Sequence, residues 1–280
     1  MNMVGIVGSG TMGSGIAQLV AASGYEIVLI DLNDELLKKS VSSINKNLSR
    51  LVDKEKITKE IHQQILKRVN TSTNLDNLSS CDLVIEAVSE NIDIKRELFV
   101  KLNAVVKKDC IIASNTSTLS ITELAMFTSR PDKVVGIHFF NPAPVMKLVE
   151  IIKSLATSKQ TIKTAEEFIL SLDKDPVVTK DRPGFIVNRI LVPMLNEAVF
   201  ALDEQMGTAE DIDKAMKLGT NHPMGPLELI DLIGLDVTLD IMDVLFAEFK
   251  DSKYRACPLL RQKVRAGHLG RKSGRGFYDY

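Results

Sequence analysis

The sequence predicts an α/β domain with a doubly wound, mainly parallel sheet, followed by an all-α domain. Three observations carry this. Short apolar segments alternate with stretches of helical spacing through the first two-thirds of the chain. A glycine-rich turn separates the first apolar segment from the first helix. Beyond Arg182-Pro183-Gly184 nothing alternates like a strand for long, and helical spacing takes over. The length of 280 residues agrees with two domains, at roughly 100–200 residues each.

In order, residues 3–7 are short, apolar and followed at once by glycines, which predicts a buried strand. Residues 12–23 have helical spacing with small side chains, and Gly24 is a suitable stop. Residues 26–30 form a second strand ended by Asp31. Further strands are predicted at 83–88, 110–115, 134–138 and 148–152, with helices at 94–106 and 158–172. Between Asp31 and Leu83 no strand is evident. Leu37, Val41, Ile44, Leu48 and Leu51 step by 4, 3, 4 and 3, a helix with an apolar seam. Ile61, Ile65 and Val69 continue at spacing 4. This predicts an inserted helical hairpin over about residues 34–70. Helices are predicted at 187–203, 209–218, 226–249 and 259–266. The expected domains are 1–184 and 185–280.

Apolar residues at 45% and charged residues at 25% are ordinary for a globular protein, which excludes disordered and coiled-coil classes. No apolar run approaches the ~18 residues needed to span a bilayer. The amino terminus leads almost directly into a strand, so no signal peptide is expected. Cys81, Cys110 and Cys257 are scattered and make no CxxC pair, so neither a disulfide framework nor a metal site is expected. A cytoplasmic location is expected. The net charge of −1 argues against nucleic acid, but the charge is uneven. Residues 38–68 hold nine Lys/Arg against three acids. Residues 253–275 hold eight Lys/Arg and no acid, and residues 226–251 hold seven acids and one base. Such runs are solvated faces or flank a polyanionic ligand.

Gly8-Ser9-Gly10-Thr11-Met12-Gly13 follows a strand, opens a helix, and has Asp31 at the end of the next strand. That is the full context of a Rossmann-type dinucleotide site. Gly8 permits the tight turn, Gly10 a close approach of the pyrophosphate, and Gly13 close packing of helix on strand. A carboxylate at Asp31 accepts from ribose hydroxyls and repels a 2′-phosphate, so NAD is expected over NADP. Ser114-Asn115-Thr116-Ser117-Thr118 lies at the C-terminal end of a predicted strand, where ligands bind in open α/β sheets. It is either a polar ligand-facing turn or an ordinary strand-to-helix connection. His138 ends an apolar strand. Glu150, twelve residues on, sits within the next one. A carboxylate in a buried strand needs a partner, and two strands joined by a Pro-bearing turn bring Glu150 to His138. Such a pair orients an imidazole as general base for an alcohol. Asn188 opens the long helix at the border, as a cleft residue or a solvated or capping one.

The segments GSGTMGSGIAQ, SNTST, GIHFFNPAPVMKLVE, PGFIVNR and DKAMKLGTNHPMGPLEL together resemble the L-3-hydroxyacyl-CoA dehydrogenases, and among them the bacterial short-chain type. The resemblance runs from Val4 to Tyr280. It implies reversible hydride transfer between NAD(H) and C3 of a short-chain 3-hydroxyacyl-CoA. It also implies His138 as general acid/base with Glu150 as partner, and Ser117 and Asn188 on the substrate oxygen. Ser9, Thr11, Met12, Asp31, Glu90, Lys95, Asn115, Ser117, Asn141 and Lys272 fall on cofactor positions. Asn47 and Lys54, in the hairpin, fall on CoA positions, which would make the first basic cluster a dock for CoA phosphates. Thr118 stands where members commonly have a second Ser. The resemblance further implies a homodimer formed through the helical domain. A longer-chain substrate, a free hydroxy acid and a non-catalytic NAD-binding sensor are the competing readings.

Overall fold

A computed structural model describes all 280 residues, which divide into two compact units, Met1–Arg182 and Pro183–Tyr280. The first unit runs β1 (Met3–Val7), α1 (Thr11–Ala22), β2 (Glu26–Ile30), α2 (Asp34–Asp53), α3 (Lys59–Lys67) and β3 (Val69–Ser72). It continues with β4 (Leu83–Glu86), α4 (Ile92–Val105), β5 (Ile111–Ser114), α5 (Ile121–Met126), β6 (Val134–Phe139), β7 (Leu148–Lys153), α6 (Lys159–Ser171) and β8 (Asp175–Lys180). The eight strands make one sheet in the order β3-β2-β1-β4-β5-β6-β7-β8. Every neighbouring pair is parallel except β6 and β7. Strand order reverses between β1 and β4, so a crevice opens at their C-terminal ends, where the glycine turn lies.

The central strands are apolar because helices cover both faces of a parallel sheet. All four residues of β4 and of β5 are buried, as are all six of β6. Helix starts are set by side-chain caps: Asn33 accepts from Leu36 N–H, Thr58 from Ile61 N–H, and Ser158 from Thr161 N–H. Among the α-helices of this unit the exception is α1. Its N-cap is Gly10, without a capping side chain, and no acidic residue lies in its first turn.

Two expectations need correction. Residues 31–83 do contain a strand. β3 pairs in parallel with β2, and Val69 belongs to it rather than to the hairpin. The helices α2 and α3 therefore form the crossover from β2 to an edge strand. β3 is only Val-Asn-Thr-Ser, with no buried residue, so it lacks the apolar alternation that marks a strand in sequence. The other edge, β8, also went unmarked. It carries Pro176 and has no buried residue, as edge strands tolerate.

The second unit contains α7 (Val187–Asp203), α8 (Ala209–Thr220), α9 (Pro226–Ile233), α10 (Leu235–Phe249) and α11 (Pro258–Arg265). The continuous helix expected over 226–249 is broken at Gly234, whose φ of +111° is costly for other residues. Leu195, Val199, Leu227, Ile230, Leu235 and Leu260 form its centre. Two buried carboxylates hold the last residues against it. Asp231 accepts from Phe277 N–H (2.8 Å) and Tyr278 N–H (2.9 Å), and Asp213 from Leu227 N–H (2.8 Å) and the Tyr278 hydroxyl (2.8 Å).

The same unit explains the second basic cluster. Its charges meet the acidic run: Arg271 with Glu228 at 2.9 Å, Lys272 with Asp236 at 2.6 Å, and Arg261 with Asp243 through two contacts. With Lys253 paired to Asp251, half of the eight bases of this cluster meet the acidic run in space.

Candidate active site

The glycine turn comes first because α1 grows from it. Gly8 has φ +100°, and a Cβ there would stand 2.5 Å from Ala87 O. A Cβ on Gly13 would stand 1.8 Å from Gly8 O, so helix and turn touch backbone to backbone. Gly10 differs: a Cβ there would meet nothing within 4 Å. Packing does not demand glycine at that position, and the bare backbone lies open to a ligand. With α1 uncapped by any side chain, its N-terminus is suited to an anion such as a pyrophosphate. Asp31 is fixed beside it. Its Oδ2 accepts from Ser9 N–H (2.7 Å) and Ser9 Oγ (2.5 Å), and its Oδ1 from Leu32 N–H (2.7 Å). A carboxylate has about four acceptor sites, so one remains for a ribose hydroxyl. These residues fit NAD.

His138 and Glu150 are direct cross-strand partners in the antiparallel β6–β7 pair. Register therefore puts them on the same face, and both are buried, at 4% and 1% exposure. Nδ1 of His138 lies 2.8 Å from Glu150 Oε2. An ionised carboxylate only accepts, so Nδ1 carries the proton and Nε2 of the neutral ring is the acceptor. Ser117 Oγ lies 3.1 Å from Nε2. The Phe140 ring packs on the imidazole, with centroids 4.6 Å apart. Glu150, His138 and Ser117 thus form one line that ends at a half-buried hydroxyl. That line can move a proton at Nε2 and hold an oxygen beside it.

Family models match this chain across both units: "3-hydroxyacyl-CoA dehydrogenase, NAD binding domain" over residues 3–182 and "3-hydroxyacyl-CoA dehydrogenase, C-terminal domain" over 184–280. The chain belongs to the 3-hydroxyacyl-CoA dehydrogenase family. Its first unit is therefore an NAD-binding domain. The chain is 51% identical to a 3-hydroxybutyryl-CoA dehydrogenase of Bradyrhizobium diazoefficiens, over 99% of this chain and 94% of the relative. It is 43% identical to the mitochondrial hydroxyacyl-coenzyme A dehydrogenase of Sus scrofa, over 99% and 90%. The crystal structure of (S)-3-hydroxybutyryl-CoA dehydrogenase from Ralstonia eutropha superposes with a TM-score of 0.97 at 50% identity, covering 100% of this chain and 99% of that one.

The other expected residues fall as follows. Asn115 is buried, and its side-chain carbonyl accepts from Phe139 N–H at 2.9 Å, tying the end of β5 to β6. Asn141 is exposed ahead of the cis-proline Pro142. Lys95 lies inside the unit at 1% exposure, its ammonium 2.5 Å from Glu86 and 3.3 Å from Glu90. Asn47 is exposed on α2 and donates to Gln18 Oε1 at 3.3 Å, while Lys54 is the exposed C-cap of α2. Asn188 is half-buried at the second position of α7 in the second unit. It does not cap that helix, whose N-cap is Ile186. Lys272 is paired with Asp236.

Sequence reasoning missed Glu86, which is fully buried in β4 and bonded to Lys95, Ser114 and Val88 N–H. The signal was present: a carboxylate within the apolar segment 83–88 raises the same question that led from Glu150 to His138.

Proposed function

We propose that this chain is an NAD-dependent 3-hydroxybutyryl-CoA dehydrogenase, interconverting short-chain (S)-3-hydroxyacyl-CoA and 3-ketoacyl-CoA. The observation that carries the reading is the Glu150–His138–Ser117 line in the same unit as the glycine turn, a unit that matches an NAD-binding domain. The 51% identity to a named 3-hydroxybutyryl-CoA dehydrogenase supports the acyl-CoA substrate.

NADH supplies the hydride that C3 receives on reduction. His138 supplies the proton: Nε2 donates to the carbonyl oxygen, and in oxidation accepts from the C3 hydroxyl. Glu150 keeps Nδ1–H oriented and offsets the positive charge on the ring while Nε2 is protonated. Ser117 holds the reacting oxygen beside Nε2 while its charge changes, an electrostatic role. By resemblance Asn188, of the second unit, is assigned to substrate binding. Asp31 orients the adenosine ribose and disfavours a 2′-phosphate. The exposed basic face of α2, with Lys38, Lys39, Lys46, Arg50 and Lys54, suits the phosphates of CoA.

The test is NADH consumption at 340 nm. Acetoacetyl-CoA should be turned over with NADH in strong preference to NADPH, and free acetoacetate should not react. Turnover of the free acid alone would overturn the acyl-CoA reading, and no turnover of either would favour a sensor. A second reading is a longer acyl chain, which the general name of the mitochondrial relative, hydroxyacyl-coenzyme A dehydrogenase, leaves open. Relative kcat/KM from C4 to C10 substrates decides between the two.

The same reading includes a soluble cytoplasmic homodimer formed through the helical unit. Ile190, Met206, Leu218 and Leu232 of that unit are half or more exposed, and no helix is long and apolar enough to cross a membrane. Light scattering should give twice the chain mass of 30.9 kDa. A mass of one chain would rule the dimer out.

A further inference from the structure

Asp31 is held by more than a tight turn requires. The backbone N–H of Ser9 donates to Asp31 Oδ2 at 2.7 Å, and the hydroxyl of the same residue donates to the same oxygen at 2.5 Å. The N–H alone ties the end of β2 to the glycine turn, and an alanine at position 9 would keep that link. The hydroxyl constrains the carboxylate itself. The terminal torsion of an aspartate is broad and roughly two-fold, so a single donor leaves the group room to turn. Two donors on Oδ2 fix which oxygen faces the turn. The other, Oδ1, accepts from the exposed Leu32 N–H at 2.7 Å and keeps an acceptor site for a ligand.

Ser9 is held from behind in its turn. Its carbonyl accepts from Ser14 Oγ at 2.7 Å, and Ser14 Oγ lies 2.6 Å from Ser40 Oγ. A hydroxyl has one proton to give. Ser14 gives its proton to Ser9, so Ser40 donates to Ser14. The three serines come from the glycine turn, α1 and α2, and all are buried. Water does not compete there, and hydrogen bonds in such a chain reinforce one another. One directed chain thus runs from α2 through α1 to the turn, and the Ser9 hydroxyl carries it on to the carboxylate.

We propose that Ser9, backed by Ser14 and Ser40, is a specificity-determining residue: it aims the Asp31 carboxylate and so sets the preference for NADH over NADPH. The inference rests on the reading of Asp31 as the partner of the adenosine ribose, and adds that the acid does not discriminate alone. Asp31 repels a 2′-phosphate only while its charge stays beside the ribose. A carboxylate free to turn away gives up both the bond to the ribose hydroxyl and the repulsion of the phosphate. Loss of the Ser9 hydroxyl should therefore move the two cofactors in opposite senses. A turn that is merely loosened would weaken both alike, because their pyrophosphates are the same.

The test is titration of the full chain with NADH and with NADPH, read by nucleotide fluorescence, in the wild type and in Ser9→Ala. We expect the NADH Kd to rise about fivefold and the NADPH Kd to fall about twofold. The ratio between them should then shrink about tenfold, the scale of one hydrogen bond to a charged group. Ser14→Ala leaves the Ser9 hydroxyl in place and removes only its backing, so it should shift the ratio in the same direction by less. Should Ser9→Ala fail to fold, Ser14→Ala carries the test. An unchanged ratio, or equal weakening of both cofactors, would overturn the proposal. Equal Kd values for NADH and NADPH in the wild type would overturn the reading of Asp31 and this inference with it. Discrimination that is present in the wild type and survives the serine substitutions would overturn this inference alone.

Discussion

His138→Gln should lower kcat by about 10²–10⁴-fold, or about 2.7–5.5 kcal/mol of barrier, while leaving NADH binding within a factor of about three. Glutamine fills the site and can bond to Glu150 and Ser117, but it cannot carry a proton to or from the reacting oxygen. The glycine turn that fits the cofactor belongs to a different strand, so binding and chemistry should separate. Glu150 reaches the imidazole at Nδ1, away from the reacting Nε2. Its own replacement, Glu150→Gln, should therefore cost less, and the double variant should be no slower than His138→Gln alone. Groups that act as one unit are non-additive in this way. The measurements are single-turnover NADH oxidation with acetoacetyl-CoA and NADH titration by fluorescence. Full activity in His138→Gln would remove the imidazole from the mechanism.

Gly13→Ala should raise the NADH Kd about 100-fold or more, equivalent to about 2.7 kcal/mol, and lower the melting temperature as well. The added methyl would lie 1.8 Å from Gly8 O and 2.8 Å from Gly8 C. Both are backbone atoms, so no side chain can swing aside. Either α1 slides or the turn opens, and the turn is already constrained by Gly8 at φ +100° against Ala87. Gly10→Ala is the control. Its methyl meets no protein atom, so the fold should be unaffected while binding weakens. Calorimetry and titration on the two variants separate them. Equal melting temperatures for both would show that the contact at Gly13 is not what fixes the turn.

Much of the site was legible because its signals are local. The glycine turn, the strand before it and Asp31 after β2 lie within 31 residues, and each states its own geometry. His138 and Glu150 were also within reach, because two strands joined by a short turn must lie side by side. The antiparallel register that makes them direct partners then follows. The short edge strands β3 and β8 were not legible. An edge strand buries little, so little in its sequence need be apolar.

The sequence by itself determined the division near Gly184, the dinucleotide turn and the histidine–carboxylate pair. These rest on hydrophobic period and on glycine, which act between residues a few positions apart. Only the tertiary structure decided where the charges go. Arg271 lies 43 residues from Glu228, and Ser114 lies 28 from Glu86. A charge carries no period and no preferred separation along the chain, so many partners are equally compatible with the sequence. Packing selects among them, because a buried charge is stable only where the fold brings its partner. Half of the second basic cluster thus pairs with the acidic run at the surface, and the carboxylate of Glu86 within an apolar strand meets the buried Lys95.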